Sequence, residues 1–255
     1  MKTLKKILKA LAVLLAWLVI WEIIYLIVGK DVIIPSPINV FSRLIELIIT
    51  APFWLAVGTS LLRIIIGYLC ALIIGVGFGI LTAFSKIANA FFTPAAKVIR
   101  ATPVASFILL LFVFVAKNNI PTVTAFLMVT PIVWANVHEG ILSADKKLLE
   151  MAKVFKLSKS SIFKNIYLPS CMPYFITSAT LGLGFAWKAA IAAEVLINPT
   201  YGIGRFLYES KIYLETTDLF AWTIIVILLS FVLEKHLIKL INVLYLSAKK
   251  KYNNK

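Results

Sequence analysis

The chain has 255 residues, of which 61% are hydrophobic and 15% are charged, and its formal net charge is +15. A soluble domain is roughly 45–50% apolar and about 25% charged, so this chain has too few charged residues for a water-facing surface. The composition excludes a disordered chain and a secreted disulfide scaffold. It also excludes a soluble DNA-binding protein, because such a protein would carry its Lys and Arg residues on a polar face. It predicts an all-α, polytopic membrane protein.

Apolar runs separated by charged residues predict about six transmembrane helices. A run of roughly 18 or more apolar residues crosses the hydrocarbon core of a bilayer, which is about 30 Å thick. The predicted spans, in chain order, are residues 8–29, 55–85, 98–116, 119–137, 171–197 and 219–241. The first run is longer than the apolar part of a signal peptide and no small-x-small cleavage site follows it, so we interpret it as a retained helix. With the connecting segment 138–170, the spans form a single transmembrane domain.

Basic residues are concentrated in alternate connections between the predicted spans. If the amino terminus lies inside the cell, the inner segments contain 19 of the 26 Lys and Arg residues and the outer segments contain five. Because Lys and Arg accumulate in cytoplasmic loops, this distribution predicts a multi-pass membrane protein with both termini in the cytoplasm. The basic excess then reflects membrane topology, and it does not indicate a nucleic-acid partner.

Small side chains recur every four residues in two of the predicted spans. They are Gly67, Ala71, Gly75, Gly79 and Ala83 in the second span, and Ser178, Gly182, Ala186 and Ala190 in the fifth. Membrane helices associate through close packing, which small residues permit. The two stripes predict tight helix–helix contacts inside one bundle, although a helix that slides or borders a pathway would have the same pattern.

Two ionisable residues of the fifth span, Lys188 and Glu194, are candidates for a translocation pathway. A charge at the bilayer centre costs roughly 2.5–3.5 kcal/mol on insertion scales, so such residues usually have a function or a partner. Lys188 either lines the pathway or pairs with a neighbouring helix, and in the pathway it would favour an anionic cargo. Arg63, at the outer end of the uncharged run 64–85, is expected to extend to the membrane interface.

The segment 138–170 differs in composition from the rest of the chain. Apolar residues recur there at helical spacing in two groups, which are Leu148, Leu149, Ala152 and Phe155, and Ile162, Phe163, Ile166 and Tyr167. Ser158 can cap the second group, and Pro169 is expected to end it. The pattern predicts two short amphipathic helices joined by a turn on the cytoplasmic face. The alternative is an inert basic connection held at the lipid surface.

The order Glu150-x-Ala152, Leu157-Ser158 and Leu168-Pro169 resembles the cytoplasmic loop of bacterial ABC-importer permeases, which has Glu-Ala-Ala, then Gly after three residues, and later Leu-Pro. The similarity covers most of the chain and includes Pro35-Ser36-Pro37, Gly58 to Gly67, Pro94 to Pro103, Trp187 to Glu194, and Tyr201 to Gly204. These segments are most similar to the nitrate, sulfonate, taurine and bicarbonate branch of the family.

Three positions depart from the family pattern. Met151 replaces the first Ala, and Val113 to Lys117 replaces the Trp-Phe-Gly that commonly ends the third helix. Lys156 stands where the family usually has Gly. If the backbone there requires a positive φ, Lys carries strain that Gly avoids.

The resemblance implies the permease subunit of an ATP-driven ABC importer in the bacterial inner membrane. Two copies would form the solute pathway, a separate ATP-binding cassette subunit would receive each cytoplasmic loop, and an extracytoplasmic solute-binding protein would deliver the cargo. The residues expected to couple the permease to the ATPase are Glu150, Ala152, Lys153, Lys156, Leu157, Ser158 and Pro169. The chain would be no enzyme and would need no cofactor or metal, because the partner subunit binds ATP. A secondary transporter driven by an ion gradient is the alternative, and such proteins usually contain internal repeats.

Overall fold

The computed structural model describes the backbone of residues 2–253 and the side chains of residues 8, 9, 11–236, 238 and 239. Within these residues all of the regular secondary structure is helical. The helices are α1 (Lys2–Val28), α2 (Pro37–Ile48), α3 (Ala51–Phe84), α4 (Lys86–Ala101), α5 (Val104–Phe114), α6 (Ile120–Leu142), α7 (Lys146–Val154), α8 (Lys159–Ile162), α9 (Leu168–Ile197), α10 (Ile203–Ile212) and α11 (Thr216–Asn253).

Five helical segments are long and apolar enough to cross a membrane. They are Leu11–Val28, Ala51–Phe84, Lys117–Leu142, Lys159–Ile197 and Thr216–His236. Helices α4 and α5 make a sixth span if the bent pair is counted as one. The all-α polytopic fold and the expected number of about six spans are therefore confirmed.

The third expected span, residues 98–116, is divided in the structure. Helix α4 ends at Ala101, α5 begins at Val104, and the two axes differ by 108°. Pro103 has no N–H to continue the helical ladder, and its ring disfavours a helical conformation at the preceding residue. Thr102 is extended accordingly, with ψ of 128°.

Helix α6 lies between α3 and α9, and small residues on both neighbours let the helices approach closely. A Cβ atom on Gly79 of α3 would lie 2.6 Å from the Cβ of Val137 on α6. A Cβ atom on Gly182 of α9 would lie 2.9 Å from Cγ1 of Val129, also on α6. The small-residue stripes are thus used for packing inside the bundle, as membrane helices require.

The bundle has two distinct ends. The loop end carries α7 and α8, and there the ring of Phe84 at the end of α3 lies 5.1 Å from that of Tyr167. The α10 end carries α2 and α10 together with the first turns of α3 and α11. At this end the Arg43 guanidinium of α2 binds Asp218 of α11.

Candidate functional site

At the loop end, α7 and α8 form a small folded unit with its own apolar core. Ala152 of α7 is fully buried beside Ala144 and Ile166. Partly buried side chains surround this core, namely Leu149, Ile162 and Tyr167. The prediction of two short amphipathic helices in the 138–170 segment is therefore confirmed, and Ala152 is the residue that holds α7 in place.

Polar side chains cap both short helices. The Asp145 carboxylate accepts a hydrogen bond from the Lys147 N–H at 2.8 Å, at the first turn of α7. The Ser158 hydroxyl oxygen accepts one from the Ser161 N–H at 3.2 Å, at the first turn of α8. The cap expected at Ser158 is confirmed, and each cap satisfies an N–H group that the helix cannot pair internally.

The turn between α7 and α8 places Lys156 in the left-handed region, with φ of 50°. The Lys156 N–H donates to the Lys153 carbonyl at 3.0 Å, and the Leu157 N–H donates to the Ala152 carbonyl at 2.9 Å. This pair of bonds is the Schellman arrangement, whose left-handed position is usually Gly. The structure therefore confirms the positive φ that would strain a Lys, at a cost of roughly 1–2 kcal/mol for a non-Gly residue.

Helix α8 continues into α9 without a loop. A π-helical turn, Phe163–Tyr167, joins them, and the Leu168 N–H donates to the Phe163 carbonyl five residues earlier. The prediction that Pro169 ends the second short helix is wrong, because Pro169 lies in the first turn of α9. Its missing N–H is tolerated there since the wider π turn already interrupts the regular bonding pattern.

An apolar patch of α7 and its turn is exposed to solvent. Its members are Leu148, Met151, Val154, Phe155 and Leu157. Sequence periodicity placed Phe155 on the same face as Ala152, but its side chain is 70% exposed. The expected coupling residues Glu150, Lys153 and Lys156 are also exposed. Contiguous exposed apolar residues bordered by charges are typical of a protein-binding surface.

At the α10 end, the Glu194 carboxylate is buried inside a hydrogen-bond network, which we call the Glu194 cluster. The Ser60 hydroxyl donates to Oε2 at 2.7 Å, and the Gly204 N–H donates to Oε2 at 3.0 Å. The Arg63 guanidinium donates to Oε1 at 3.0 Å. The side chains of Glu194 and Arg63 are 1% and 15% exposed. A buried charge requires such compensation, because an unpaired one is strongly unfavourable.

The Glu194 cluster fixes the connection between α9 and α10. Arg63 also donates to the Tyr201 carbonyl, so one side chain of α3 binds both α9 and the loop that follows it. Gly202 has φ of 153°, and a Cβ atom there would lie 2.7 Å from the Glu194 carboxyl carbon. Only Gly allows the loop to approach the carboxylate this closely.

The structure gives both charges a partner that the sequence did not predict. Arg63, expected to extend to the membrane interface, pairs with Glu194. Glu194, expected to line the pathway, is closed off from open space by α3 and the following loop. The sequence signals for this cluster are the Ser60-x-x-Arg63 spacing, which puts both side chains on one face of α3, and Gly202-x-Gly204 after the carboxylate.

Lys188 lies on an open surface between α9 and α11. It borders a cavity of about 730 Å³, whose polar lining residues also include Thr180, Ser230 and Glu234. The ion pairs found among the described side chains do not include Lys188. Of the two sequence alternatives, pairing with a neighbouring helix of the same chain is therefore not observed.

The sequence of the chain is similar to those of known transport permeases. Residues 75–237 match the family described as "Binding-protein-dependent transport system inner membrane component". Over 195 residues the chain is 30% identical to the nitrate import permease protein NrtB of Synechocystis sp., covering 71% of this chain and 70% of that protein. Over 198 residues it is 28% identical to the putative aliphatic sulfonates transport permease protein SsuC of Bacillus subtilis, covering 76% and 70%.

A solved structure has the same fold. A chain of the inward-facing MetNI methionine ABC transporter superposes with a TM-score of 0.63 at 15% identity, covering 76% of this chain and 99% of that one. The fold agrees with the family model, which matches more than half of the chain, and with the sequence identity to relatives of similar length. The chain belongs to the family of binding-protein-dependent transport system inner membrane components, and it is a multi-pass permease subunit of an ABC importer.

Proposed function

We propose that α7, α8 and the Lys156 turn form the element through which this permease contacts a separate ATP-binding cassette subunit. The observation that carries the proposal is the apolar patch around Phe155, which protrudes from a unit that already has a complete core of its own. Apolar side chains left outside a finished core are stabilised when a partner covers them.

The predicted coupling residues have different tasks in this proposal. Ala152 holds α7 against α8, and Ser158 fixes the first turn of α8. Lys156 and Leu157 set the angle between the two helices, while Glu150 and Lys153 offer charges beside the patch. Pro169 lies within the continuous helix that leads from the contact into the membrane.

Coupling follows from the continuity of α8 and α9. When the ATPase pair closes on ATP, a shift of α7 and α8 is passed through the π turn to α9, which carries Lys188 and Glu194. ATP binds the closed ATPase better, so it shifts the population of the permease toward the state in which α9 has moved. The permease needs no cofactor and no catalytic residue for this role, because the partner subunit binds and hydrolyses ATP.

The assembly proposed here has two copies of the chain and two further kinds of partner. The basic residues favour an orientation with the loop end and both termini in the cytoplasm. The α10 end then faces an extracytoplasmic solute-binding protein. A second copy beside the α9–α11 cavity would complete a pathway, with Lys188 on its wall.

Lys188 in the pathway favours an anionic cargo. A Lys exposed to lipid within a span is unfavourable, so its open position is stable only next to water, solute or a partner. The two curated relatives described above are named for nitrate and for aliphatic sulfonates, which are anions. The Lys188 ammonium would attract such solutes to its part of the cavity wall. The Glu234 carboxylate lines the same cavity, but it lies 18 residues into α11 and so closer to the loop end than Lys188, which lies nine residues before the end of α9.

Co-purification with the ATPase subunit tests the coupling role. Phe155→Asp should abolish most of the association, because a carboxylate replaces the centre of the apolar patch. Tyr213→Asp is the matched control, since Tyr213 is an aromatic residue with 71% exposure at the α10 end, and this variant should retain the ATPase subunit. Equal association of the two variants would contradict the proposal.

Uptake by proteoliposomes distinguishes an ATP-driven importer from a secondary transporter driven by an ion gradient. With the ATPase subunit and the solute-binding protein present, uptake should require ATP. It should stop in the Phe155→Asp variant even when that variant inserts normally. Uptake that needs only a proton or Na⁺ gradient would contradict the coupling proposal.

A further inference from the structure

Helix α2 has three sectors, which follow from rotation by 100° per residue. One sector is buried against the bundle and contains Pro37, Val40 and Leu47. The second is polar and contains Asn39, Arg43 and Glu46, with Ser42 at its edge. The third is apolar but exposed, and it contains Ile38, Phe41, Ile45 and Ile48. A helix that served only the core of this bundle would not need the third sector.

The position of α2 places it at the level where the spans leave the membrane. Its 12 residues reach about 18 Å, which is too short to cross a hydrocarbon core of about 30 Å. It lies at the α10 end beside the first turn of α11, and α3 begins three residues after α2 ends. A helix of this length is too short to be a further span, and the Arg43–Asp218 contact keeps it beside the bundle at this end.

An ion pair fixes the rotation of α2. The Arg43 guanidinium binds the Asp218 carboxylate of α11 through two bonds of 2.6 Å and 2.9 Å, and it binds Glu46 at 2.9 Å. The hydrogen bonds that the Arg43 guanidinium donates to Asp218 and then to Glu46 raise the pKa of Arg43, so the guanidinium stays charged. The polar sector is thereby held on one side of the helix, and the exposed apolar sector cannot turn into the core.

Trp54, just after α2, extends the same surface. Its indole N–H donates to the Ile48 carbonyl at 2.8 Å, and its ring is exposed. Trp has an apolar body and one polar group, and it is enriched where the hydrocarbon core meets the headgroups. Farther along α3, Leu55 and Leu62 continue an exposed apolar surface into the span.

The geometry points to α2 as an interfacial membrane helix. The apolar sector with Ile38 and Ile45 lies among lipid acyl chains of the leaflet at the α10 end, and the polar sector with Asn39 faces headgroups and water. The occupant is lipid for two reasons. Trp54, which donates to the Ile48 carbonyl of α2, links this sector to the exposed apolar residues Leu55 and Leu62 of the spanning helix α3. The sector also contains no charged or hydrogen-bonding side chain to which a protein partner would bind. The Arg43–Asp218 pair then connects this anchor to α11.

Spin labels on α2 test the inference in the assembled transporter. Single cysteines replace Ile45 and Asn39 in a background with Cys70→Ala and Cys171→Ala, and the complex is reconstituted in phospholipid bilayers. Both variants should retain ATP-driven uptake. A label at residue 45 should collide more often with oxygen, which concentrates in acyl chains, than with a water-soluble nickel chelate. The label at residue 39 should show the reverse preference, and a label at residue 62 gives the lipid reference.

Two results would overturn the inference. A label at residue 45 that is as accessible to the nickel chelate as the one at residue 39 would place this sector in water or under the solute-binding protein. A label inaccessible to both reagents would place it against a second copy of the chain. If the Ile45 variant fails to assemble, Ile38 occupies the same sector two turns earlier and replaces it in the same experiment.

Discussion

The Arg63 guanidinium and the Glu194 carboxylate form an ion pair of 3.0 Å, although 131 residues separate them in the chain. The pair fastens α9 to α3 at the α10 end and, through Arg63, fastens the loop that follows α9. Two charges in a membrane protein usually indicate function. Here their first consequence is structural, because the two charges neutralise each other at a site where the side chain of Glu194 is 1% exposed and that of Arg63 is 15% exposed.

Removing the charge of Glu194 should strongly destabilise the permease. Glu194→Gln leaves Arg63 largely buried without a counterion, and breaking such a pair on one side costs on the order of 3–5 kcal/mol. The double variant Arg63→Met/Glu194→Gln should recover part of this loss. Thermal unfolding of the purified permease measures both. The control is Glu209→Gln, which breaks the more exposed Arg205–Glu209 pair and should cost less than about 1 kcal/mol. Equal losses at the two sites would contradict the role of the cluster.

Replacing a glycine of α3 with alanine should lower stability at Gly79 but not at Gly77. At Gly79 a Cβ atom would lie 2.6 Å from the Cβ of Val137, whereas at Gly77 it would meet no other helix within 4 Å. Gly79→Ala should therefore push α6 away and lower stability by roughly 1–3 kcal/mol, as overpacking does. Gly77→Ala should be neutral or slightly stabilising, because Ala favours helix more than Gly does. Melting temperatures of the two variants are the measurement, and the same shift in both would contradict the close packing.

Relieving the strain at Lys156 should stabilise the turn between α7 and α8. Lys156→Gly removes the Cβ atom that is unfavourable at φ of 50°, with a gain of up to about 1 kcal/mol after the greater freedom of Gly in the unfolded chain is counted. Hydrogen exchange of the Leu157 amide should slow by about fivefold. Lys156→Ala is the control, because it removes the charge and keeps the Cβ atom, and it should leave the exchange rate unchanged. Slowing in both variants would assign the effect to charge.

Substitution at Lys188 tests the proposed anionic cargo. Lys188→Ala should reduce ATP-driven uptake of the anion about tenfold, which corresponds to one lost charge-assisted contact of roughly 1.5 kcal/mol. Lys188→Arg should retain most of the uptake, since it keeps the charge. Lys211→Ala, which removes an exposed charge of α10, should have no comparable effect. If the Lys188→Ala variant took up the anion at the wild-type rate, the reason for proposing an anionic cargo would be lost. The proposed contact with the ATPase subunit does not depend on this result.

Local patterns in the sequence predicted most of the fold correctly. Apolar runs predict the spans because lipid excludes unpaired backbone and charge, and the Ser158 cap and the helical spacing around Ala152 act within a few residues. The positive φ at Lys156 was predictable only through the resemblance to a family with Gly at that position. These features depend on neighbours in the chain, which the sequence displays directly.

The remaining features depend on partners that are distant in the chain. Periodicity assigned Phe155 and Ala152 to one face, but the short α7 turns only one side toward the core, so Phe155 is outside. Arg63 and Glu194 each read as isolated charges until the fold brings α3 and α9 together. Pro169 was expected to stop a helix, and the π turn before it removes the conflict. None of these outcomes follows from one segment considered alone.

The continuous helical segment from Lys159 to Ile197, whose π turn lies close to the loop end, can tilt as one long rod. Its 39 residues extend about 58 Å, so each degree of tilt about the loop end displaces the other end by about 1 Å. A hydrogen bond does not survive such a displacement, and Glu194 lies one turn from that far end. A tilt of a few degrees therefore has one of two results at the α10 end. Either α3 moves together with α9, or the hydrogen bonds of Glu194 to Ser60 and Arg63 break.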